Sequence, residues 1–243
     1  MSAVSKRITC PIQSIENYNK DTRRVLLGMP PGESVSYHAG QYLQIVTPEK
    51  KFPFSIASSP LTAGVLELHV RPTPGSSDSA AIEALLDSAS ELELEIPLGD
   101  CFVTEAPGCP LILMAASTGI TQMKSIIEFL EPTGFQQPVY LYWGVISDRD
   151  LYIAKLCKSW ESTYENFHFI PVVSEPATSP DWKGRTGLVG EAVLADFDDL
   201  SNVKVIVSGG PAMVYATLDA FVARGMPEGN MSSDIFSYAP RKK

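Results

Sequence analysis

The spacing of apolar residues changes near residue 106, and this change limits most strongly what the chain can fold into. Residues 1–100 contain short runs in which apolar and polar residues alternate, as in Leu92-Glu93-Leu94-Glu95-Ile96. A period of two predicts half-buried strands, and several at regular spacing favour an antiparallel barrel. We predict one helix, Ser79–Ser88, and six strands: Ile8–Ser14, Arg23–Met29, Tyr42–Thr47, Phe54–Ser58, Val65–Arg71 and Leu92–Leu98.

From residue 110 onward, apolar runs alternate with segments of helical spacing. Leu111–Ala116 is apolar throughout, as expected of a parallel strand that is covered on both faces. The same alternation continues to the end of the chain and predicts a doubly wound sheet of five parallel strands. Turn-forming residues at 105–110 mark the boundary. We therefore predict a barrel domain at 1–106 and an α/β domain at 107–243.

Charge and composition exclude several classes of protein. The chain has 28 acidic and 19 basic residues, a net charge of −9, which argues against binding nucleic acid or an anionic membrane. No apolar run approaches the ~20 residues of a membrane span, and Met1–Arg7 has no apolar stretch of a leader behind it, so we expect a cytoplasmic protein. The four cysteines contain no C-x2-C pair and the three histidines are isolated, so we expect no metal site.

Two glycine-bearing edges of the predicted parallel sheet indicate a dinucleotide site. Ala116–Thr121 follows the first parallel strand, and Ser208–Met213 follows the last. Ligands of open α/β sheets lie beyond the carboxyl ends of the strands, where a helix N-terminus can bind a phosphate. Neither edge is G-x-G-x-x-G, and each by itself is also compatible with simple packing. The candidate contacts are Thr118, Gly119, Ile120, Thr121, Gly209, Pro211 and Met213.

Several motifs resemble those of the ferredoxin–NADP reductase superfamily, in the family's order and across nearly the whole chain. Besides the two glycine-bearing edges, they are His38–Tyr42, Phe52–Pro60, Glu67–Val70, Pro97–Phe102, Trp182–Gly187 and Asp234–Tyr238. The length and the cysteine pattern resemble the stand-alone NAD(P)H–flavin oxidoreductases. The resemblance implies a flavin-binding barrel (FAD or FMN) and an NADH- or NADPH-binding domain, with hydride passing from nicotinamide C4 to flavin N5.

The resemblance also implies roles for individual residues. Ser55 would donate a hydrogen bond near flavin N5, which makes it the candidate catalytic residue, and Phe54 would lie against the flavin ring. Arg185 would contact the pyrophosphate, and Tyr238 belongs to the ending typical of the small flavin reductases. The other implied flavin contacts are Phe52, Pro53, the backbone of His69, Val70 and Arg71, and Gly75 and Ser79 near the flavin phosphate.

Three departures from the family pattern carry predictions. Phe52 occupies the position of the arginine that usually pairs with the flavin phosphate. A lysine at 50 or 51 could supply a point charge there, but not the two parallel hydrogen bonds that an arginine guanidinium donates. Asp78 would oppose a phosphate or else cap a helix. These changes predict weak or exchangeable flavin, and they are also compatible with loss of flavin binding. Ile146 stands where many relatives have a phosphate-binding arginine. Glu175 replaces an arginine that in many NADPH users holds the 2′-phosphate, and a glutamate there favours NADH.

Three functions remain open at this point. The favoured one is a reductase that oxidises NAD(P)H and releases reduced flavin. The second is a tight flavoprotein that passes electrons to a separate acceptor protein. The third is a nucleotide-binding regulatory subunit that kept the fold without turnover.

Overall fold

The structure is a computed structural model that describes residues 4–241. The outer ends of the two predicted domains, residues 1–3 and 242–243, lie outside the described residues. Contacts group the chain into two compact units. The first runs to Thr104 and includes Lys124–Phe129, and the second comprises Glu105–Met123 and the chain from Leu130 onward.

The first unit is a six-stranded antiparallel sheet in the order β4-β3-β6-β1-β2-β5, as predicted for the barrel. The long strand β1 pairs with β6 through Pro11 and with β2 from Ile12 onward, so one strand serves two neighbours. A backbone hydrogen bond of 2.8 Å from Ala57 to Glu67 links the chain after β4 to β5, the other edge. The elements are β1 Lys6–Asn17, β2 Arg23–Gly28, β3 Tyr42–Val46, β4 Lys51–Ser55, β5 Val65–Val70, α1 Ser77–Ser88 and β6 Glu91–Leu98.

Strand β6 illustrates how the sequence pattern produces the core of this unit. Leu92, Leu94 and Ile96 are buried, whereas the alternating Glu91 and Glu93 are exposed. Successive side chains of a strand point to opposite faces, so the period of two separates the core from solvent. The predicted alternation is therefore confirmed in this strand.

Strand β4 differs from its predicted position. We expected Phe54–Ser58, whereas the strand is Lys51–Ser55 and forms a hairpin with Tyr42–Val46. After Ser55 the backbone leaves this pairing, because the Ile56 N–H donates to the carbonyl of Gln41 at 3.1 Å and Ala57 turns to β5. The apolar residues that suggested a strand belong to this departing segment.

Helix α1 begins two residues earlier than predicted. The hydroxyl of Ser76 accepts a hydrogen bond from the Ser79 N–H at 3.3 Å, which makes Ser76 the N-cap. The expected alternative that Asp78 caps the helix is therefore wrong. Asp78 lies in the first turn, where a negative charge favours the helix dipole.

The second unit contains a parallel sheet in the order β10-β9-β8-β7-β11-β12. Six strands are described where we predicted five: four carry a readable apolar pattern, and the two edge strands are only two residues long and carry none. The strands are β7 Leu111–Ala116, β8 Val139–Val145, β9 Phe167–Val173, β10 Arg185–Thr186, β11 Lys204–Ser208 and β12 Met231–Ser232. The helices are α2 Ile120–Leu130, α3 Ala154–Thr163, α4 Val189–Asp196, α5 Pro211–Ala223 and α6 Ile235–Tyr238.

The described residues contain neither a helix of membrane-spanning character nor a cluster of metal-ligating side chains. Between residues 4 and 241, no helix combines the length and hydropathy needed to cross a membrane. Within the same range, no three His, Cys, Asp or Glu side chains are grouped closely enough to hold a metal ion.

Candidate functional site

The last residue of β4, Ser55, presents a hydroxyl that is available to a ligand. Ser55 is half-buried and pairs through its backbone register with Tyr42. Among residues 4–241 its hydroxyl forms no hydrogen bond. A hydroxyl can both donate and accept, so Ser55 can serve a ring nitrogen whose protonation changes. Pro53 shares this face of β4, because the two residues are separated by two positions.

The opposite face of β4 carries Phe52 and Phe54, which turn toward the core. Phe52 is 8% exposed and belongs to the core cluster, and Phe54 packs partly against that cluster. The Phe52 side chain therefore belongs to the core and offers no polar group to a flavin phosphate, in keeping with the missing family arginine at this position. Phe54 keeps only part of its ring available for the predicted contact with a flavin.

The two lysines next to Phe52 are both neutralised by carboxylates. The Lys50 ammonium forms an ion pair with Asp78 in the first turn of α1, and the Lys51 ammonium lies 2.6 Å from Glu95. The Lys50 Nζ also lies 5.7 Å from the centre of the Phe52 ring. Both lysines are thus engaged by partners within the protein.

The predicted phosphate turn at 75–79 combines a left-handed glycine with a hydroxyl that accepts one backbone hydrogen bond. Gly75 has φ +76°, the left-handed conformation that favours glycine. The Ser79 hydroxyl accepts a hydrogen bond from the Thr73 N–H at 2.9 Å. Because the Ser79 hydroxyl only accepts in this contact, its hydrogen remains available for donation to a ligand.

A buried carboxylate, Glu67, joins four side chains in the same unit. Glu67 is 4% exposed and accepts hydrogen bonds from Tyr18 at 3.0 Å, Arg24 at 3.0 Å and His69 at 2.8 Å. The Lys124 ammonium lies 3.5 Å from Glu67 Oε2. Sequence reasoning used only the backbone of this strand and missed the side-chain cluster, although an acid between the apolar Leu66 and Leu68 was its visible signal.

The charge states in this cluster follow from its contacts. Burial raises the pKa of the Glu67 carboxyl, but the hydrogen bonds from His69 and Arg24 and the charge of Lys124 outweigh it and hold the pKa well below its usual range. Burial lowers the pKa of His69, and the contact with Glu67 opposes this only in part. We therefore assign a charged Glu67 and a neutral His69 that donates its Nε2–H to the carboxylate.

The backbone directly after Ser55 is fixed by the same cluster. The Lys124 ammonium donates to the carbonyl of Ala57 at 3.3 Å, and the hydroxyls of Ser125 and Tyr37 donate to the carbonyl of Ser58 at 2.8 and 3.1 Å. His69 and Val70 of β5 are buried and Arg71 is half-buried. Ser55 is thus the end of a strand whose continuation is held rigidly by buried polar contacts.

In the second unit, the two predicted glycine-bearing edges meet. A Cβ at Gly119 would lie 2.4 Å from the carbonyl oxygen of Ser208, so only glycine fits between the ends of β7 and β11. Ser117 has φ +51°, and its carbonyl accepts a hydrogen bond from Trp143 Nε1 at 2.8 Å. A Cβ at Gly209 would meet the sulfur of Met213 at 2.5 Å. Both glycines are thus required by neighbouring protein atoms, which makes this edge closely packed.

The residues at the start of α2 have different surroundings. Ile120 is fully buried, so its side chain is part of the core and not a ligand contact as predicted. Thr118 is half-buried within the turn that precedes α2. Thr121 is buried, and its hydroxyl has no hydrogen-bond partner among the described residues. A buried hydroxyl without a hydrogen-bond partner costs free energy unless a ligand or water supplies the partner. Thr121 is therefore the best candidate in this turn for a nucleotide contact.

A cavity of about 490 Å³ lies at the carboxyl ends of β7 and β8 and extends between α4 and α5. Its lining is mainly aliphatic and includes Ser117, Gly144 and Met213. A Cβ at Gly144 would approach Val189 Cβ at 2.8 Å, so this glycine lets α4 pack onto the end of β8. The volume falls in the range of ~300–1,000 Å³ typical of small-molecule sites.

Among the described residues predicted to contact the nucleotide, Met213 alone lines this cavity; the others, Thr118, Gly119, Ile120, Thr121, Arg185, Gly209, Pro211 and Tyr238, do not. The Arg185 guanidinium forms an ion pair with Asp196 and donates to the carbonyl of Ala192 at 3.1 Å, so it is held by α4 and is not free for a pyrophosphate. Tyr238 is 70% exposed at the end of α6. Pro211 begins α5 and does not line the cavity.

A six-stranded antiparallel sheet followed by a parallel sheet with a cavity at its carboxyl edge defines a two-domain oxidoreductase that binds a flavin and a nicotinamide nucleotide. Residues 9–102 match the oxidoreductase FAD-binding domain, and residues 113–219 match the oxidoreductase NAD-binding domain. The chain belongs to the ferredoxin–NADP reductase superfamily, as the motifs predicted.

Individual relatives support this assignment. The chain is 36% identical over 238 residues to the NAD(P)H-flavin reductase of Vibrio harveyi, covering 95% of this chain and 99% of that protein. It is 34% identical over 231 residues to the CDP-6-deoxy-L-threo-D-glycero-4-hexulose-3-dehydrase reductase of Yersinia pestis, covering 95% and 69%. The crystal structure of Amycolatopsis cytochrome P450 reductase GcoB superposes with a TM-score of 0.85 at 29% identity, covering 95% of this chain and 69% of that one.

Proposed function

We propose that the protein is an NAD(P)H:flavin oxidoreductase that treats flavin as an exchangeable substrate. The observation that carries the proposal is the charge pattern around Phe52. Phe52 is buried in the core, and Lys50 and Lys51 are both paired with carboxylates. A phosphorylated flavin gains little from cations that are already neutralised, because the pairs must first be broken.

The proposed chemistry uses few protein groups. A bound flavin supplies at N5 the acceptor for the hydride that leaves nicotinamide C4. The free hydroxyl of Ser55 would donate a hydrogen bond at that nitrogen, and the cluster around Glu67 keeps the backbone after Ser55 in place. The protein thus contributes alignment, which suits a reaction whose difficult step belongs to the cofactors.

Relatives with other roles favour a second candidate. The Yersinia pestis relative and the terephthalate dioxygenase relative of Comamonas are named as reductase or reductase component, and the latter is 28% identical over 236 residues. A chain of this second kind would hold its flavin tightly and pass electrons to an acceptor protein.

Dialysis followed by steady-state kinetics separates these candidates. We expect the dialysed protein to be colourless, to leave NADH and NADPH unoxidised, and to gain saturable activity with added riboflavin, FMN or FAD. A protein that stays yellow and needs an acceptor protein would support the second candidate. A protein that oxidises neither nucleotide with any flavin would be a regulatory member of the fold, and our proposal would be wrong.

A further inference from the structure

Ser117, which directly follows β7, has a backbone conformation that its side chain disfavours. Its φ is +51°, and among residues 4–241 it is the one residue other than glycine with a positive φ. This left-handed conformation brings Cβ too close to the following carbonyl oxygen, so it is uncommon for residues other than glycine, asparagine and aspartate. A serine persists in such a conformation only where the surrounding structure holds it there.

The support for Ser117 comes from a buried tryptophan on the neighbouring strand. Trp143 Nε1 donates a hydrogen bond of 2.8 Å to the Ser117 carbonyl, which also accepts the backbone N–H of Ile120. Trp143 is fully buried in β8, and its ring meets the ring of Tyr152 edge-on, with 5.3 Å between the ring centres. Because packing fixes the indole, its N–H determines the orientation of the Ser117 carbonyl.

The register of the parallel sheet explains why these two residues meet. Strand β7 lies between β8 and β11, and Trp143 of β8 is the register partner of Ala115 of β7. Trp143 therefore lies beside the last residues of β7, just before Ser117. On the β11 side, Gly119 packs so closely against the Ser208 carbonyl that a Cβ does not fit. The turn at 117–119 is thus held from β8 through Trp143 and from β11 through Gly119.

We propose that Trp143 is a positioning residue for nucleotide binding, which acts by holding Ser117 in its left-handed conformation. The inference rests on the proposed function, in which the nucleotide binds beside this turn and donates hydride. Without the indole donor, the Ser117 backbone should relax to a more common conformation and displace the free N–H groups at the start of α2 that a phosphate would meet. Glycine adopts a positive φ readily, so Ser117→Gly should make the tryptophan dispensable.

A double-mutant cycle tests this dependence, by calorimetric titration of dialysed, flavin-free protein with NADH or NADPH, whichever binds more tightly. Trp143→Phe removes the donor and should weaken binding roughly tenfold while Ser117 is present. In the Ser117→Gly background, the same replacement should weaken binding by less than about threefold, because the two residues are coupled. Ser117→Ala removes the hydroxyl but keeps Cβ, so the loss of about tenfold should persist in that background.

Two further variants separate the lost hydrogen bond from lost packing. Replacing Trp143 by 3-benzothienylalanine, in which sulfur takes the place of the indole N–H, keeps the shape of the ring. It should weaken binding to the same extent as Trp143→Phe, and it decides the question if the phenylalanine variant does not fold. The matched control is Trp160, a buried tryptophan on α3 whose ring meets that of Phe167 edge-on. Trp160→Phe should bind the nucleotide like the wild type.

Steady-state kinetics with added FMN gives a readout that a merely structural role would not produce. Trp143→Phe should raise the KM for the nucleotide about tenfold and change kcat by less than about twofold, because the loss of an interaction present in both ground and transition states raises KM alone. A general loss of folded protein would instead lower kcat and leave KM unchanged.

The outcomes distinguish this inference from the proposed function. Wild-type affinity in Trp143→Phe, an equal loss with and without Ser117→Gly, or a wild type that binds neither nucleotide would each overturn the inference. Oxidation of the nucleotide with added flavin but without the coupling would refute the inference while the proposed function stands. The predicted coupling without oxidation of either nucleotide by any flavin would refute the proposed function alone.

Discussion

Lys124 and Glu67 form a buried ion pair, with 3.5 Å between Lys124 Nζ and Glu67 Oε2, and both side chains are less than a tenth exposed. Lys124 also donates to the carbonyl of Ala57 and pairs with Glu128 at 2.8 Å. The two residues are 57 positions apart in the sequence, and together they fix the backbone that follows Ser55. Their pairing is the main contribution that the structure adds to the sequence-derived site.

Lys124→Met should lower the free energy of unfolding by roughly 3 kcal/mol, because it removes one partner of a buried charge pair. Urea denaturation measures this directly. Lys124→Arg should recover part of the loss, since it restores the charge. The exposed Lys155 on α3 is the matched control, and Lys155→Met should cost little. Equal effects at 124 and 155 would mean that the buried pair contributes nothing.

Stability should fall as the pH is lowered from neutral. The folded protein holds the pKa values of His69 and Glu67 below their ordinary values of 6.5 and 4.5, so the unfolded chain binds more protons in acid. The loss should begin below about pH 6.5 through His69 and continue below about 4.5 through Glu67. Urea midpoints against pH measure it. His69→Gln should flatten the upper part of the profile, and an unchanged profile would contradict the assignment of a neutral His69.

Asp78→Ala should tighten FMN and FAD but not riboflavin. Removing Asp78 frees Lys50, and a charge-assisted contact with the flavin phosphate is worth about 1.5–3 kcal/mol, or roughly 10- to 150-fold in affinity. Fluorescence quenching of each flavin measures the affinities. Asp87→Ala, at the other end of α1, changes the charge equally and should leave the three affinities as they are. A gain for riboflavin as well would show that the phosphate is not the group affected.

Phe52→Arg should destabilise the protein, although the resemblance places an arginine at this position in many relatives. The side chain at this position belongs to the core, where an arginine would be buried without a carboxylate partner. Thermal unfolding measures the loss. A variant with wild-type stability and selectively tighter FMN binding would contradict the buried placement of this residue.

Ser55→Ala should slow flavin reduction by roughly tenfold or more, since one hydrogen bond to a reacting atom is worth on the order of 1–3 kcal/mol. Its stability should change little, because the hydroxyl forms no hydrogen bond within residues 4–241. Rapid mixing with NADH measures the rate. Ser88→Ala, on the exposed end of α1, is a control that should reduce flavin at the wild-type rate. Equal rates in the two variants would remove Ser55 from the site.

Much of the fold was predictable because its periodicities are local. Alternation in β6 and the apolar run of β7 predicted their strands directly. The two-residue strands β10 and β12 were missed because they exist only through pairing with β9 and β11. Strand β4 was predicted too late in the chain, because its end is decided by long-range backbone hydrogen bonds from Ile56 and Ala57.

The candidate site was predictable where a sequence motif fixes the backbone. It was less predictable where a side chain's partner lies far away in the sequence. Gly119 was identified from its motif, and its close approach to Ser208 gives the physical reason for a glycine there. The roles of Glu67 and Lys124 depend on contacts across 57 positions, which no local pattern contains. The same is true of the lysines near Phe52, whose charges are offset by Asp78 and Glu95.

The central claim is that this chain moves a hydride from a nicotinamide nucleotide to a flavin that it holds only transiently. Anaerobic rapid mixing of the dialysed protein and added FMN with one equivalent of NADH tests it most directly. We predict that oxidised flavin and NADH disappear in one shared exponential phase, and that deuterium at nicotinamide C4 slows that phase. Unchanged NADH in the presence of protein and FMN, or flavin loss that is insensitive to deuterium and out of step with NADH, would contradict the account.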